Sequence, residues 1–152
     1  MAAASNRPGS RARLLAVLAV GVVPWTVVYT RGFVTLVTPV ALIDPVTGTV
    51  TTVVEYLQYT IGAPPSLMMP WLVAVGIYVL ALASAALAFR DREDRRVTGG
   101  LLVLLGVTQV SLSIGFGRRP TYLAVPVATA TCWAVAWWGY RTDLRRIVAG
   151  SR

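Results

Sequence analysis

Few residues in this 152-residue chain can do chemistry. There is no histidine, and all 14 basic residues are arginine. The chain therefore lacks the usual axial ligand of haem and the commonest zinc and copper ligand. Its single cysteine, Cys132, has no second thiol for a metal pair or an intrachain disulfide. No Walker loop, HExxH, GxSxG or CxxC occurs, nor a GxGxxG in strand context. The expectation is a protein with no cofactor, no metal and no enzymatic activity. Three features remain. Arg118 and Arg119 stand side by side, and guanidinium pairs match phosphate oxygens bidentately, which suits a lipid headgroup. Glu55, with Tyr56 and Tyr59 near it in sequence, could oppose that pair and form a small polar site. A lone carboxylate with arginines still lacks a nucleophile or a metal pair. Gln109 and Ser113, four residues apart, share a helical face and can bond to a neighbouring helix or to a neutral ligand.

The elements that must position these residues are apolar. The chain is 56% hydrophobic and 13% charged, with a mean hydropathy of +0.67, whereas soluble proteins carry about 25% charged residues. The excess is gathered into runs of about 14–30, 70–89, 97–117 and 122–140, none containing an acid or an arginine. The first has a basic start like a signal peptide, but Pro24, Trp25 and Tyr29 occupy the stretch where a small-x-small cleavage site would lie. It reads as an uncleaved span bent at Pro24. Twenty residues at about 1.5 Å each reach about 30 Å, the hydrocarbon thickness. The fourth run ends in Trp133, Trp137, Trp138 and Tyr140, an interfacial aromatic cluster.

With both termini inside, 11 of the 14 arginines fall on the cytoplasmic side and only Arg31, Arg118 and Arg119 outside. That asymmetry is the positive-inside pattern, and it needs no nucleic-acid partner. The RDREDRR segment between the second and third runs is largely self-neutralised, and Asp91 and Arg95 have helical i, i+4 spacing.

The outer segment 31–69 does not read as a span. Phe33–Ile43 is too short and is broken by Pro39, which suggests an extended, re-entrant or interfacial piece. Val50, Val53, Val54, Leu57 and Ile61 follow the spacing of an amphipathic helix lying on the outer surface. Thr52 and Glu55 have capping-box spacing, and Gly62, Pro64 and Pro65 form a stop. A β-hairpin is the alternative, given the Val and Thr content of 46–54. In the second span Ala81, Ser84, Ala85 and Ala88 form a small-residue stripe suited to close helix packing, within the chain or between copies.

The segments VPWTVVYT, ALASAALAFRDREDRRVTGGLLVLLG, GFGRRPTYLAVPV and WAVAWWGYR together resemble a family of small uncharacterised multi-pass membrane proteins of haloarchaea. The resemblance covers most of the chain and implies a membrane protein of unassigned function, with no catalytic residues to carry over.

The sequence thus predicts a single integral membrane domain over 1–152. Its fold class is all-α: a four-helix bundle with an outer amphipathic helix or hairpin between spans one and two, and both termini in the cytoplasm. The expected role is a non-catalytic scaffold or accessory subunit, packing against itself or a larger membrane partner through the small-residue stripe. The alternative is a lipid or neutral small-molecule binding or transport module, with an outer pocket among the surface helix, Gln109 and the Arg118/Arg119 pair. A membrane enzyme acting on lipid headgroups, using Glu55, Arg118 and Arg119, ranks third.

Overall fold

A computed structural model of the chain describes residues 9–59, 68–90 and 94–149. Helix α1 (Ser10–Val22) leads into strands β1 (Thr26–Thr30), β2 (Phe33–Val37), β3 (Ala41–Asp44) and β4 (Thr49–Thr52). The short α2 (Val53–Tyr59) and then α3 (Met69–Ala86) follow, the latter ending in a 3-10 turn, Leu87–Arg90. Helix α4 (Arg95–Gly117), strand β5 (Tyr122–Val125) and α5 (Val127–Ala149) complete the chain. The strands form one antiparallel sheet in the order β4-β3-β2-β1-β5. The all-α expectation is therefore wrong: this is an α/β fold of five helices and a five-stranded sheet among the described residues.

Both of the outer apolar runs switch conformation at a proline. Val23, just before Pro24, is extended with φ −74 and ψ 137, because a following proline disfavours the helical region. The chain then enters Thr-Val-Val-Tyr-Thr, a β-branched stretch that packs well in a sheet. Run 14–30 is accordingly helix α1 followed by strand β1. Run 122–140 is β5 followed, after Pro126, by α5. The 33–43 piece is strands β2 and β3, and segment 49–59 resolves into strand β4 followed by helix α2. The expected stop at 62–65 and Asp91 of the Asp91/Arg95 pair lie outside the described residues.

Turn chemistry supports each reversal. Thr30 pairs with Phe33, leaving Arg31 (φ 40) and Gly32 (φ 93) as a two-residue loop, the positive-φ geometry that matches strand twist. The Asp44 carboxylate accepts from the Val46 and Thr47 amides, closing the β3–β4 turn before Gly48. At the start of α2, the Glu55 carboxylate accepts from the Thr52 amide at 2.8 Å, and the Glu55 amide donates to the Thr52 hydroxyl. The capping box read from the sequence is present. The Asp94 side chain caps α4 by accepting from the Arg96 and Val97 amides.

The helices pack in a ring, α1 on α3, α3 on α4, α4 on α5 and α5 on α1, while the sheet rests against α4 through β1 and β5. Trp25, Trp71, Val17, Val20, Leu102 and Leu105 are the centre of the buried core. Three of its large polar aromatics are satisfied by backbone. The Trp25 indole donates to the Val20 carbonyl, the Trp71 indole to Thr38, and the Tyr78 hydroxyl to Val17. The Trp25 carbonyl in turn accepts from the amide of Ala128, one of the otherwise orphaned donors of the first turn of α5.

Candidate functional site

The sequence singled out Arg118, Arg119, Glu55 and Gln109 as one polar neighbourhood; the fold distributes them over three places. Gln109 is fully buried on α4, where its side-chain oxygen accepts from the hydroxyl of the equally buried Thr26 at 3.0 Å. Ser113, one turn further on, is also buried. Gln109 Nε2 and Ser113 Oγ have no hydrogen-bond partner among the described residues, and the Thr26–Gln109 bond joins β1 to α4.

Glu55 lies beyond β4, at one edge of the sheet. Its carboxylate is engaged by the Thr52 amide and hydroxyl, and these donors hold it below the ordinary carboxylate range, the backbone amide contributing most. Tyr56 turns inward, its ring edge-on to Trp71 at 5.4 Å. Arg118 and Arg119 precede β5, at the opposite edge. Four strand spacings of about 4.8 Å put the two edges about 19 Å apart. Glu55 does not face the arginine pair.

The segment that follows the pair lies beside the β1–β2 turn. Arg118 closes α4, its amide donating to the Ile114 carbonyl, and the Tyr122 amide donates back to the Arg119 carbonyl. Thr30 then pairs with Tyr122 across β1 and β5, so the Arg31–Gly32 turn lies beside Pro120–Tyr122. Between them opens a groove of about 420 Å³ lined by Tyr29, Arg31, Phe33, Pro120, Tyr122 and Leu123, among others. Arg31, Arg118 and Arg119 are all exposed. Sequence reasoning counted Arg31 only as outer charge and missed this grouping. The available signal was two β-branched five-residue runs, TVVYT and FVTLV, separated by two residues including a glycine, which is a hairpin pattern.

The small-residue stripe is used internally. Ala81 and Ala85 are fully buried, Ala88 is half-buried, and Ser84 Oγ lies 2.7 Å from Thr98 Oγ1 of α4. Close α3–α4 packing consumes most of the face that could have met a second copy. At the opposite end of the helix ring from the sheet, Arg13 is buried with its guanidinium 5.9 Å from the centre of the Tyr140 ring. Among the described residues no three His, Cys, Asp or Glu side chains gather as a metal site.

These features define an α/β protein with an antiparallel sheet set against a ring of helices. Two of those helices, α3 and α4, are long and apolar enough to cross a membrane. The chain belongs to the family described as Domain of unknown function (DUF8050), whose profile matches residues 1–150. No curated protein and no solved structure matches it.

Proposed function

We propose that this is a non-catalytic multi-pass membrane protein with both termini in the cytoplasm, acting as a scaffold or accessory subunit. The observation that carries the membrane reading is the agreement of two exposed apolar stripes. On α4 the stripe comprises Val97, Val103, Leu104, Val107 and Ile114; on α3 it comprises Met69, Val73, Val79, Leu80 and Leu87. The Ser84–Thr98 contact sets these helices against each other, and counting 15 residues along each from that contact puts Met69 level with Ser113. Both stripes are then about 26 Å long and cover the same slab, close to a hydrocarbon core. Arg95 and Arg96 lie just beyond one face of the slab and Arg118 and Arg119 just beyond the other.

Helix α1, at 13 residues, reaches only about 20 Å before the chain turns to strand, so the membrane reading rests on α3 and α4, against which α1 and α5 pack. With the small-residue stripe of α3 largely consumed inside the chain, a second copy or a larger partner is met by the α4–α5 flank bearing exposed Trp133, Trp137 and Trp138. The resemblance of this chain's segments to small membrane proteins of haloarchaea supports the same role.

Crosslinking in native membranes tests the role. Photo-crosslinkers at Trp137 and Val107 are expected to trap a second copy or a discrete partner. A strict monomer in mild detergent together with no crosslinked species would overturn it.

A second reading, a lipid-binding module, is favoured by the groove at Arg31. There the pocket expected around Gln109 is replaced by one at the sheet's far end.

A further inference from the structure

We infer that the groove between the β1–β2 turn and the α4–β5 turn binds a phosphate oxyanion, presented by the headgroup of an anionic phospholipid. The inference rests on the membrane reading above and gives its binding alternative a ligand and a place. Arg31 lines the groove, and register sets Arg118 and Arg119, which immediately precede Pro120 of the opposite wall, at the same end of the sheet. None of their side chains has a hydrogen bond or ion pair among the described residues. The two acids of the sheet region are committed elsewhere: Asp44 to the β3–β4 turn and Glu55 to the cap of α2. Neighbouring guanidinium groups repel, and an oxyanion both relieves that repulsion and accepts their paired donors.

Position argues for a lipid as the source of the phosphate. Arg118 and Arg119 follow Ile114, the last exposed apolar residue of α4, by about one helical turn, or about 6–8 Å. That is the depth of the headgroups above the hydrocarbon. Below the groove, Leu123, Val125 and Val127 are exposed at alternate positions leading from β5 into α5. They form an apolar track along which an acyl chain can lie while its phosphate meets the arginines. Tyr29 and Tyr122 supply the amphipathic aromatic walls common at this depth. Arg31 also holds φ 40, a conformation that asparagine or glycine adopts more readily. The turn itself does not call for an arginine.

The test uses the full chain in nanodiscs of phosphatidylcholine with added phosphatidylglycerol, counting lipids retained after release by native mass spectrometry. The wild type is expected to retain phosphatidylglycerol about tenfold over its share of the disc. In R31N/R118Q/R119Q the ratio falls to parity, whereas R95Q/R96Q, at the other face, leaves it unchanged. If the triple variant fails to fold, R31N alone, which suits the turn, is expected to lower the preference about threefold. Millimolar inorganic phosphate that displaces the retained lipid assigns the site to the free anion; no displacement assigns it to the headgroup. A wild type without preference, or arginine variants that keep it, overturns the site. Resistance to alkaline extraction from membranes is scored separately: an extractable chain overturns the membrane reading, while an embedded chain without lipid preference overturns only the groove.

Discussion

Thr26 and Gln109 show what a single buried hydrogen bond does here. It ties the first residue of β1 to the middle of α4 with both partners out of water. Replacing one partner leaves the other unpaired, at about 1–3 kcal/mol. Thr26→Val and Gln109→Leu should each lower the melting temperature in detergent. The double variant should lose less than the sum, since it buries no orphan between the two positions. Additive losses would mean that the two side chains do not interact. The acids behave differently because they act at the surface. Donors from Thr47 and Val46 hold Asp44 below its ordinary value, the Thr47 amide contributing most, and Glu55 is lowered by Thr52. A carboxyl whose folded-state pKa is depressed contributes stability above its unfolded value and loses it as pH falls through the folded one. Unfolding midpoints should therefore decline on the acid side of the carboxylate range. In D44N/E55Q that decline should be shallower, with the midpoint at neutral pH already reduced.

At the scale of elements, close approach decides where helices and strands sit. A Cβ on Gly106 would run into the indole of Trp133, whose Nε1 donates to the Val103 carbonyl at 3.3 Å. Gly106→Ala is expected to destabilise by about 1–3 kcal/mol through displacement of that ring, and G106A/W133L should recover part of the loss. An unchanged melting temperature in G106A would show that α4 and α5 are not seated this closely. The same scale explains what was legible beforehand. The capping box at Thr52 and Glu55 could be read because it depends on residues three apart. Strand β1 could not, because Thr26–Thr30 continues an apolar run and short apolar stretches suit helix or strand alike. Only the pairing of Val27 and Val28 with Leu36 and Thr35 on one side, and with Val125 and Ala124 on the other, makes the choice.

For the whole molecule, the arrangement of charge makes the orientation testable. Arg31, Arg118 and Arg119 belong to the sheet end, and Arg13, Arg95 and Arg96 to the opposite end of the helices. With Cys132, which is buried, replaced by alanine, a cysteine at Thr49 should react with an impermeant maleimide on intact cells. One at Arg96 should react only after permeabilisation. The reverse pattern would invert the protein in the membrane. Labelling at both positions in intact cells would remove the barrier between them. Helix ends tell the same story from inside the fold: the first helix stops at Pro24 and the last begins after Pro126, so both leave the helical ring on the side of the sheet.

By itself the sequence determined the features that act over short spans or through composition: the apolar segments, the break at Pro39, the Thr52–Glu55 cap and the segregation of arginines; at Pro24 it indicated only a bend in a continuous span. Each depends on near neighbours or on transfer from water, and neither requires knowledge of the fold. Tertiary structure alone decided that the apolar ends of the first and fourth runs are paired strands. It separated Glu55 from the arginine pair across the sheet, closed the Ala81–Ala85 stripe inside the helix ring, and set the Arg31 turn beside the segment that follows Arg118 and Arg119. The reason is the same in every case. Strand partners, sheet edges and helix faces are chosen by contacts between residues distant in the chain, and no local pattern carries that information.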